Sequence, residues 1–229
     1  ENRHRSIYLL PNAFTTAALF AGFYAVVQAM NDRFEVAAIA IFVAMVLDGM
    51  DGRVARLTNT QSAFGEQYDS LSDMTSFGVA PALVMYEWIL NDLGRWGWLA
   101  AFVYVAGAAL RLARFNTNIA VVDKRYFQGL PSPAAAALVA GFVWLAVDNK
   151  LPIHDSLMAW VAFTLTMYAG ITMVSNAPFF SGKSFALGRS VPFWGILLVV
   201  AVFVFVSSDP PVVLFGLFVL YGLSGWITW

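Results

Sequence analysis

The sequence predicts an all-α integral membrane protein of about eight transmembrane helices, preceded by a short N-terminal interfacial helix. Two observations carry this. Of 229 residues, 60% are hydrophobic and 12% are charged, whereas soluble domains average about 45–50% apolar and about 25% charged. The apolar residues are also gathered into runs of the length that crosses a hydrocarbon layer, roughly 17–25 helical residues.

The runs fall at 13–30, 34–56, 68–90, 96–116, 131–148, 152–173, 191–207 and 210–228. Runs of this length suit helices and not the shorter strands of a membrane barrel, so strands are not expected. The loop "SNAPFFSGKSFALGRS" separates the sixth and seventh, and "SSDPP" makes a tight turn whose prolines open the last helix. No internal repeat or low-complexity tail is visible, so one membrane domain is expected over 1–229. "ENRHRS" leads into a proline-broken apolar stretch without the pattern of a cleavable leader. There is no cysteine, which excludes disulfides and thiolate metal sites. No nucleic-acid partner is expected.

Charge placement tests the helix count. With a cytoplasmic N-terminus, ten of the thirteen basic residues lie on the cytoplasmic side: Arg3, Arg5, Arg53, Arg56, Arg111, Arg114, Lys124, Arg125, Lys183 and Arg189. Arg33, Arg95 and Lys150 lie opposite. This is a strong positive-inside bias, and an odd number of spans would scramble it. Trp88, Trp96 and Trp98 then fall at the far interface, as belt aromatics do. "RHRSIYLLPN" reads as an interfacial helix ended by Pro11.

Against this apolar background, "LDGMDGRVAR" and "GEQYDSLSD" place four carboxylates at the cytoplasmic ends of the second and third helices. Asp48 and Asp51 are three apart, and Asp69 and Asp73 are four apart, so each pair shares a helix face. The short "TNTQSAFGE" connection makes the helices antiparallel neighbours, and all four carboxylates converge. Like charges so placed repel severely. Divalent cations relieve that repulsion, and all-oxygen ligation suits hard ions such as Mg²⁺, Mn²⁺ or Ca²⁺. His4 and His154 fall away from the cluster. Gly49 and Gly52 serve either close helix packing or close approach of a ligand to backbone. Arg56, one turn past Gly52, suits a phosphate-bearing ligand.

These residues reproduce the pattern D-x-x-D-G-x-x-A-R, eight residues, then G-x-x-x-D-x-x-x-D. All eight fixed positions agree with the signature of the CDP-alcohol phosphotransferase family, and the chain closely resembles its members. "LLPNAFTTAALFAGFYA", "DSLSDMTSFGVAPA", "ALRLARFN" and "FQGLPSPAAAA" resemble the bacterial, serine-using branch. The resemblance implies attack of the serine hydroxyl on the phosphatidyl phosphorus of CDP-diacylglycerol, releasing CMP. It implies two divalent cations, Mg²⁺ or Mn²⁺, with Ca²⁺ as a non-productive occupant, on Asp48, Asp51, Asp69 and Asp73. Asp73 matches the proposed general base, and Gly52, Arg56 and Gly65 match positions around the CDP moiety. It also implies a homodimer in the bacterial inner membrane, with the active site cytoplasmic.

The carboxylate of L-serine needs a cationic partner in a low-dielectric pocket. Arg111 and Arg114 are the candidates; their plain alternative is to anchor the helix end by snorkelling. Asn116, Gln128 and Ser132 are possible polar contacts. "GLPSP" is either a loop over the site or a helix start. Asn12 and Thr15 either cap the first helix or reach the nucleotide, with capping the simpler reading. Glu66 and Tyr68 flank the aspartates, and Lys124 and Arg125 would attract anionic headgroups. Three other readings stay open: the same chemistry with glycerol phosphate, inositol phosphate or choline; an aspartate-rich prenyltransferase; and a divalent-cation transporter. Transport paths normally carry charge near mid-membrane, whereas here the four acids sit at one end.

Overall fold

The computed structural model describes residues 2–117, 126–148, 151, 155–181 and 193–229, with the side chains of 2–9, 155 and 193 left aside. Lys124, Arg125, Lys150, His154, Lys183 and Arg189 lie outside the described residues, as do the side chains of Arg3, His4 and Arg5.

Among the described residues, each apolar run is mostly helical. In order the helices are α1 (Asn2–Met30), α2 (Phe34–Leu57), α3 (Ala63–Asp73), α4 (Ala80–Trp88), α5 (Arg95–Thr117), α6 (Ser132–Val147), α7 (Asp155–Val174), α8 (Phe193–Ser208) and α9 (Pro210–Ile227). A π turn, Met74–Val79, joins α3 to α4, so the third run is helical from residue 63 to 88 but not α-helical throughout. Among the described residues, four stretches are long and apolar enough to cross a membrane: Leu10–Met30, Arg95–Thr117, Ser156–Val174 and Pro210–Ile227. α6 and α8, at 16 residues each, are apolar but shorter. α2 has the length, at 24 residues, but carries the charged "DGMDGR" stretch.

Two expectations need correction. No separate interfacial helix ends at Pro11; α1 runs through it from Asn2 to Met30. Proline removes one intrahelical donor and crowds the carbonyl four residues back, and here the helix absorbs that defect without stopping. Strands were not expected, yet Tyr126–Gln128 (β1) pairs antiparallel with Pro178–Phe180 (β2), Phe127 facing Phe179. Three-residue strands have no readable period.

Small residues build the bundle. Ala18, Ala21, Ala25 and Ala29 recur every three or four positions along α1 and are buried, the last three in one cluster with Ala37, Ala38, Ile41 and Ala44 of α2. Without side chains to hold them apart, such helices approach closely. α6 is the hub: nearly all of Ala134–Val143 is buried, and it packs on α2, α4, α7 and α9. α5 crosses α7 where Gly107 meets the Gly170 carbonyl and Gly170 meets the Tyr104 backbone. Trp96 and Trp98 are exposed at the end of the bundle opposite the aspartates.

The α5–α7 crossing leaves no room for a methyl group. Gly107→Ala drives its Cβ into the Gly170 carbonyl and should cost about 1–3 kcal/mol, as overpacking does. The measurement is the apparent melting temperature of the detergent-solubilised protein; an unchanged value contradicts the tight crossing.

Candidate active site

α2 stops at Leu57 because Thr58 turns its hydroxyl back to the Val54 carbonyl, at 2.7 Å, and Asn59 takes the left-handed conformation with φ 51. Ser62 then opens α3: its hydroxyl accepts the Gly65 N–H at 3.0 Å, and Glu66 occupies the first turn, where helix N-termini favour acids. The connection is short, as expected, but α2 and α3 do not lie flat on one another. Both lean on α1, while the backbone of α2 approaches the third run mainly at the π turn and α4. The pair therefore opens into a cleft at its aspartate end.

Three of the four aspartates meet across this cleft. One carboxylate oxygen each from Asp48, Asp51 and Asp69 lies within 4.8 Å of the other two. Asp73 adjoins them, in electrostatic contact with Asp48 and Asp69. The Asp51 carboxylate is buried at 5% exposure and accepts from the Thr15 hydroxyl, 2.5 Å from Oδ2. Asp69 Oδ1 and Asp73 Oδ1 are buried without any hydrogen-bond partner. Buried carboxylate oxygens with no donor are costly. Asp73 has Arg111 within electrostatic reach; oxygen donors clustered in this way are still what a hard divalent ion requires, and the residues fit one.

The simpler expectation for Thr15, a helix cap, does not hold. The residue is instead mid-helix, 3% exposed, and touches the cluster. Its carbonyl accepts from Ser72 Oγ at 3.2 Å, so one residue of α1 holds both aspartate-bearing helices. The sequence signal was faint: a threonine inside an apolar helix, four residues after a proline. Thr16 Oγ and the Tyr68 hydroxyl are 2.8 Å apart beside it.

The cleft next to the aspartates has a volume of about 140 Å³ and is lined by Asn12, Thr15, Asp51, Gly52, Arg56, Gly65, Glu66 and Asp69, among others. A cavity needs only roughly 10–15 Å³ of such space to hold one water, so ions and phosphate oxygens fit there. Gly52 does not pack against a helix. A Cβ built on it would meet only Arg56 Nη1, at 3.9 Å. Its absence keeps backbone open to the cleft, while Gly65 sits against Ser62 Oγ and Asn12 Oδ1. The Arg56 side chain is exposed and has no hydrogen-bonded or ion-paired partner among the described residues.

The two arginines of "RLAR" part company. Arg114 spends its guanidinium on the end of α7, donating to the carbonyls of Val174, Met173 and Ser175, to Asn176 Oδ1 and to the Gln128 carbonyl, at 2.9–3.2 Å. Gly129, at φ 77, brings the β1 strand close enough for this. Arg111 is 7% exposed. It has one long contact, Nη1 to Ser132 Oγ at 3.5 Å, and a buried Nε without a partner. It lies against the rings of Phe115 and Phe127 and within electrostatic reach of Asp73 and Tyr221. Asn116 is bonded to Ser70 at 3.0 Å. "GLPSP" is the helix-start alternative: Pro131 caps α6 and Pro133 lies in its first turn.

Residues 8–175 match the CDP-alcohol phosphatidyltransferase family, and the chain belongs to it. The chain is 36% identical over 227 residues to the CDP-diacylglycerol–serine O-phosphatidyltransferase of Helicobacter pylori, covering 96% of this chain and 92% of that one. It is 37% identical over 153 residues to the protein of the same name from Mycobacterium leprae, covering 65% of this chain and 51% of that one. With its namesake from Methanocaldococcus jannaschii it is 42% identical over 136 residues, covering 59% of each.

Arg114→Ala strips five hydrogen bonds, four from the α7 end and one from the Gln128 carbonyl of β1. With bonds to a charged group at about 1.5–3 kcal/mol each and little additivity, the expected destabilisation is about 3 kcal/mol. Thermal unfolding of the purified protein measures it; a loss under about 0.5 kcal/mol, the range of an ordinary surface change, speaks against the brace.

Proposed function

We propose that this chain transfers the phosphatidyl group of CDP-diacylglycerol to the hydroxyl of L-serine, giving phosphatidylserine and CMP. The observation that carries this is the convergence of the family's aspartates on an open cleft at one end of an apolar bundle. All relatives described above bear the name of that reaction.

A lipid donor also suits the surroundings of the cleft. An apolar groove of about 660 Å³ runs between α1 and α2, lined by Ala13, Thr16, Phe20, Tyr24, Val43 and Leu47 among others. Leu47 adjoins Asp48, and Ala13 and Thr16 adjoin the cleft residues Asn12 and Thr15. From Ala13 to Tyr24 the groove spans about 16 Å of helix, about half of a 30 Å hydrocarbon core. A lipid whose diphosphate enters the cleft can therefore lay a chain along one leaflet.

In this reading Asp48, Asp51, Asp69 and Asp73 would hold two divalent cations, Mg²⁺ or Mn²⁺. When bound, these neutralise the diphosphate and polarise the attacked phosphorus. Gly52 lets the diphosphate approach the backbone, and the unpaired Arg56 takes a phosphate oxygen beside Gly65. Arg111, buried and short of partners, receives the serine carboxylate, while Arg114 braces the pocket wall. Asp73, between the cluster and Arg111, accepts the proton of the serine hydroxyl. The serine oxygen bonds to phosphorus as the bond from phosphorus to the CMP oxygen breaks, and CMP leaves as the anion.

The chain forms a single catalytic domain over 1–229, with eight spanning segments and two cytoplasmic ends. It functions as a homodimer in the bacterial inner membrane, with the cleft facing the cytoplasm. Supporting the orientation is the ten-to-three distribution of basic residues.

The direct test is release of CMP from CDP-diacylglycerol by purified protein with Mg²⁺ or Mn²⁺ and a panel of acceptors. Serine alone should be active; turnover with choline or a phosphorylated alcohol but not serine would overturn the acceptor. Asp48→Asn or Asp69→Asn should reduce turnover at least about 10²-fold, the lower end of the losses seen when charge stabilisation is removed. Wild-type rates in both would contradict the shared site. Arg111→Ala should raise the KM for serine by at least about tenfold, given the cost of unpairing a buried carboxylate, with a smaller effect on CDP-diacylglycerol. Equal effects on both substrates would move Arg111 out of the acceptor pocket.

A further inference from the structure

We propose that Pro81 and Tyr104 hold open the π turn below Asp73, and that Tyr104 is a positioning residue for the metal-binding aspartates. The inference rests on the two-metal reading of Asp48, Asp51, Asp69 and Asp73 given above.

The sequence supplies the cause of the turn. In a continuous α-helix the Phe77 carbonyl would accept from the N–H of residue 81. That residue is proline, which has no N–H and whose ring crowds the carbonyl four residues back. The helix widens instead. Residues Met74–Val79 form the π turn, with the Ala80 N–H bonded to the Thr75 carbonyl, five residues back. The Phe77 carbonyl takes its donor from another helix: the Tyr104 hydroxyl of α5, 2.9 Å away.

Tyr104 is fully buried, at 0% exposure. Its backbone is pinned where α5 crosses α7, with a Cβ on Gly170 only 3.0 Å from Tyr104 Cα. The opposite side of the turn is pinned to α1. Ser76 Oγ donates to the Ala18 carbonyl at 3.0 Å, and Ser76 Cα would stand 2.7 Å from a Cβ on Gly22. Fixed on both sides, the turn has one position.

That position matters because a π turn contains one residue more than an α turn. One residue is about 100° of helix rotation. Closing the turn to α geometry would rotate α3 against α4 by that amount. α4 is locked in the core by Val84 and Met85, both at 0% exposure, so α3 would move, taking Asp69 and Asp73 off the face they share with Asp48 and Asp51. The widened turn is thus what allows one helix to bury its lower half and present both carboxylates to the cleft above. π turns of this kind recur at functional sites.

The test is Mn²⁺ binding by the full chain in lipid nanodiscs, followed by loss of the free-ion electron paramagnetic resonance signal. The proteins are wild type, Tyr104→Phe, Pro81→Ala and Tyr168→Phe. Tyr168 is the control, since its hydroxyl bonds the Gly222 carbonyl at 2.7 Å between α7 and α9, away from the cluster. Tyr104→Phe should weaken Mn²⁺ binding by about tenfold or more, as loss of an outer-shell support does, with helix content by circular dichroism unchanged. Tyr168→Phe should bind as wild type. Pro81→Ala restores the missing N–H, so the turn can close; it should bind Mn²⁺ at least about tenfold more weakly while melting no lower than wild type. General damage would not give that combination. Wild-type affinity in Tyr104→Phe or Pro81→Ala overturns the inference, as does equal weakening in the two tyrosine variants. A wild-type protein that binds no Mn²⁺ overturns the two-metal reading and this inference together.

Discussion

The repulsion among four carboxylates at one edge of an apolar bundle is the constraint to which the rest of this end answers. Left to themselves, Asp48, Asp51, Asp69 and Asp73 would swing apart into water. Two features prevent it. The residues sit on helices rather than loops, so their backbones are fixed. Those helices are also tied to a common partner, α1, through the Thr15 hydroxyl on Asp51 and the Ser72 and Ser76 hydroxyls on α1 carbonyls. Each bond is modest, about 1 kcal/mol net. Together they hold a charge cluster that the protein alone does not neutralise, and that is the condition of a site prepared for a cation.

The second theme is division of labour between neighbouring residues of the same type. Arg111 and Arg114 are three apart on one helix, and burial separates them. Arg114 ends among carbonyls of α7 and β1 and becomes a brace. Arg111 ends among aromatic rings and one serine, with donors to spare. Gly49 and Gly52 also differ from the interior glycines. Gly107 and Gly170 let helices touch, while Gly52 leaves space for something that is not protein.

Much of this was legible from the sequence alone. Spans are written in long apolar runs, because a hydrocarbon layer fixes their length. The aspartate cluster is written in spacings of three and four, because those spacings define a helix face. What stayed hidden depends on contacts between distant segments. Nothing near Thr15 says that it meets Asp51, 36 positions away. Pro81 invites a break or a kink, but nothing near it says that Tyr104 of another helix meets the Phe77 carbonyl. The β1–β2 ribbon is too short to show a period, and Pro11 ended a helix on local grounds but not in the bundle.

The α1–α2 groove carries a consequence for the bilayer itself. It opens sideways beside the cleft and extends about as far as one leaflet is deep. In the proposed reaction the donor and the product carry the same two chains, so both use the same doorway. The product is released into the monolayer that supplied the donor, and its headgroup never crosses the apolar interior. Growth driven by such a catalyst is one-sided. The opposing monolayer can keep pace only if other machinery moves lipid across.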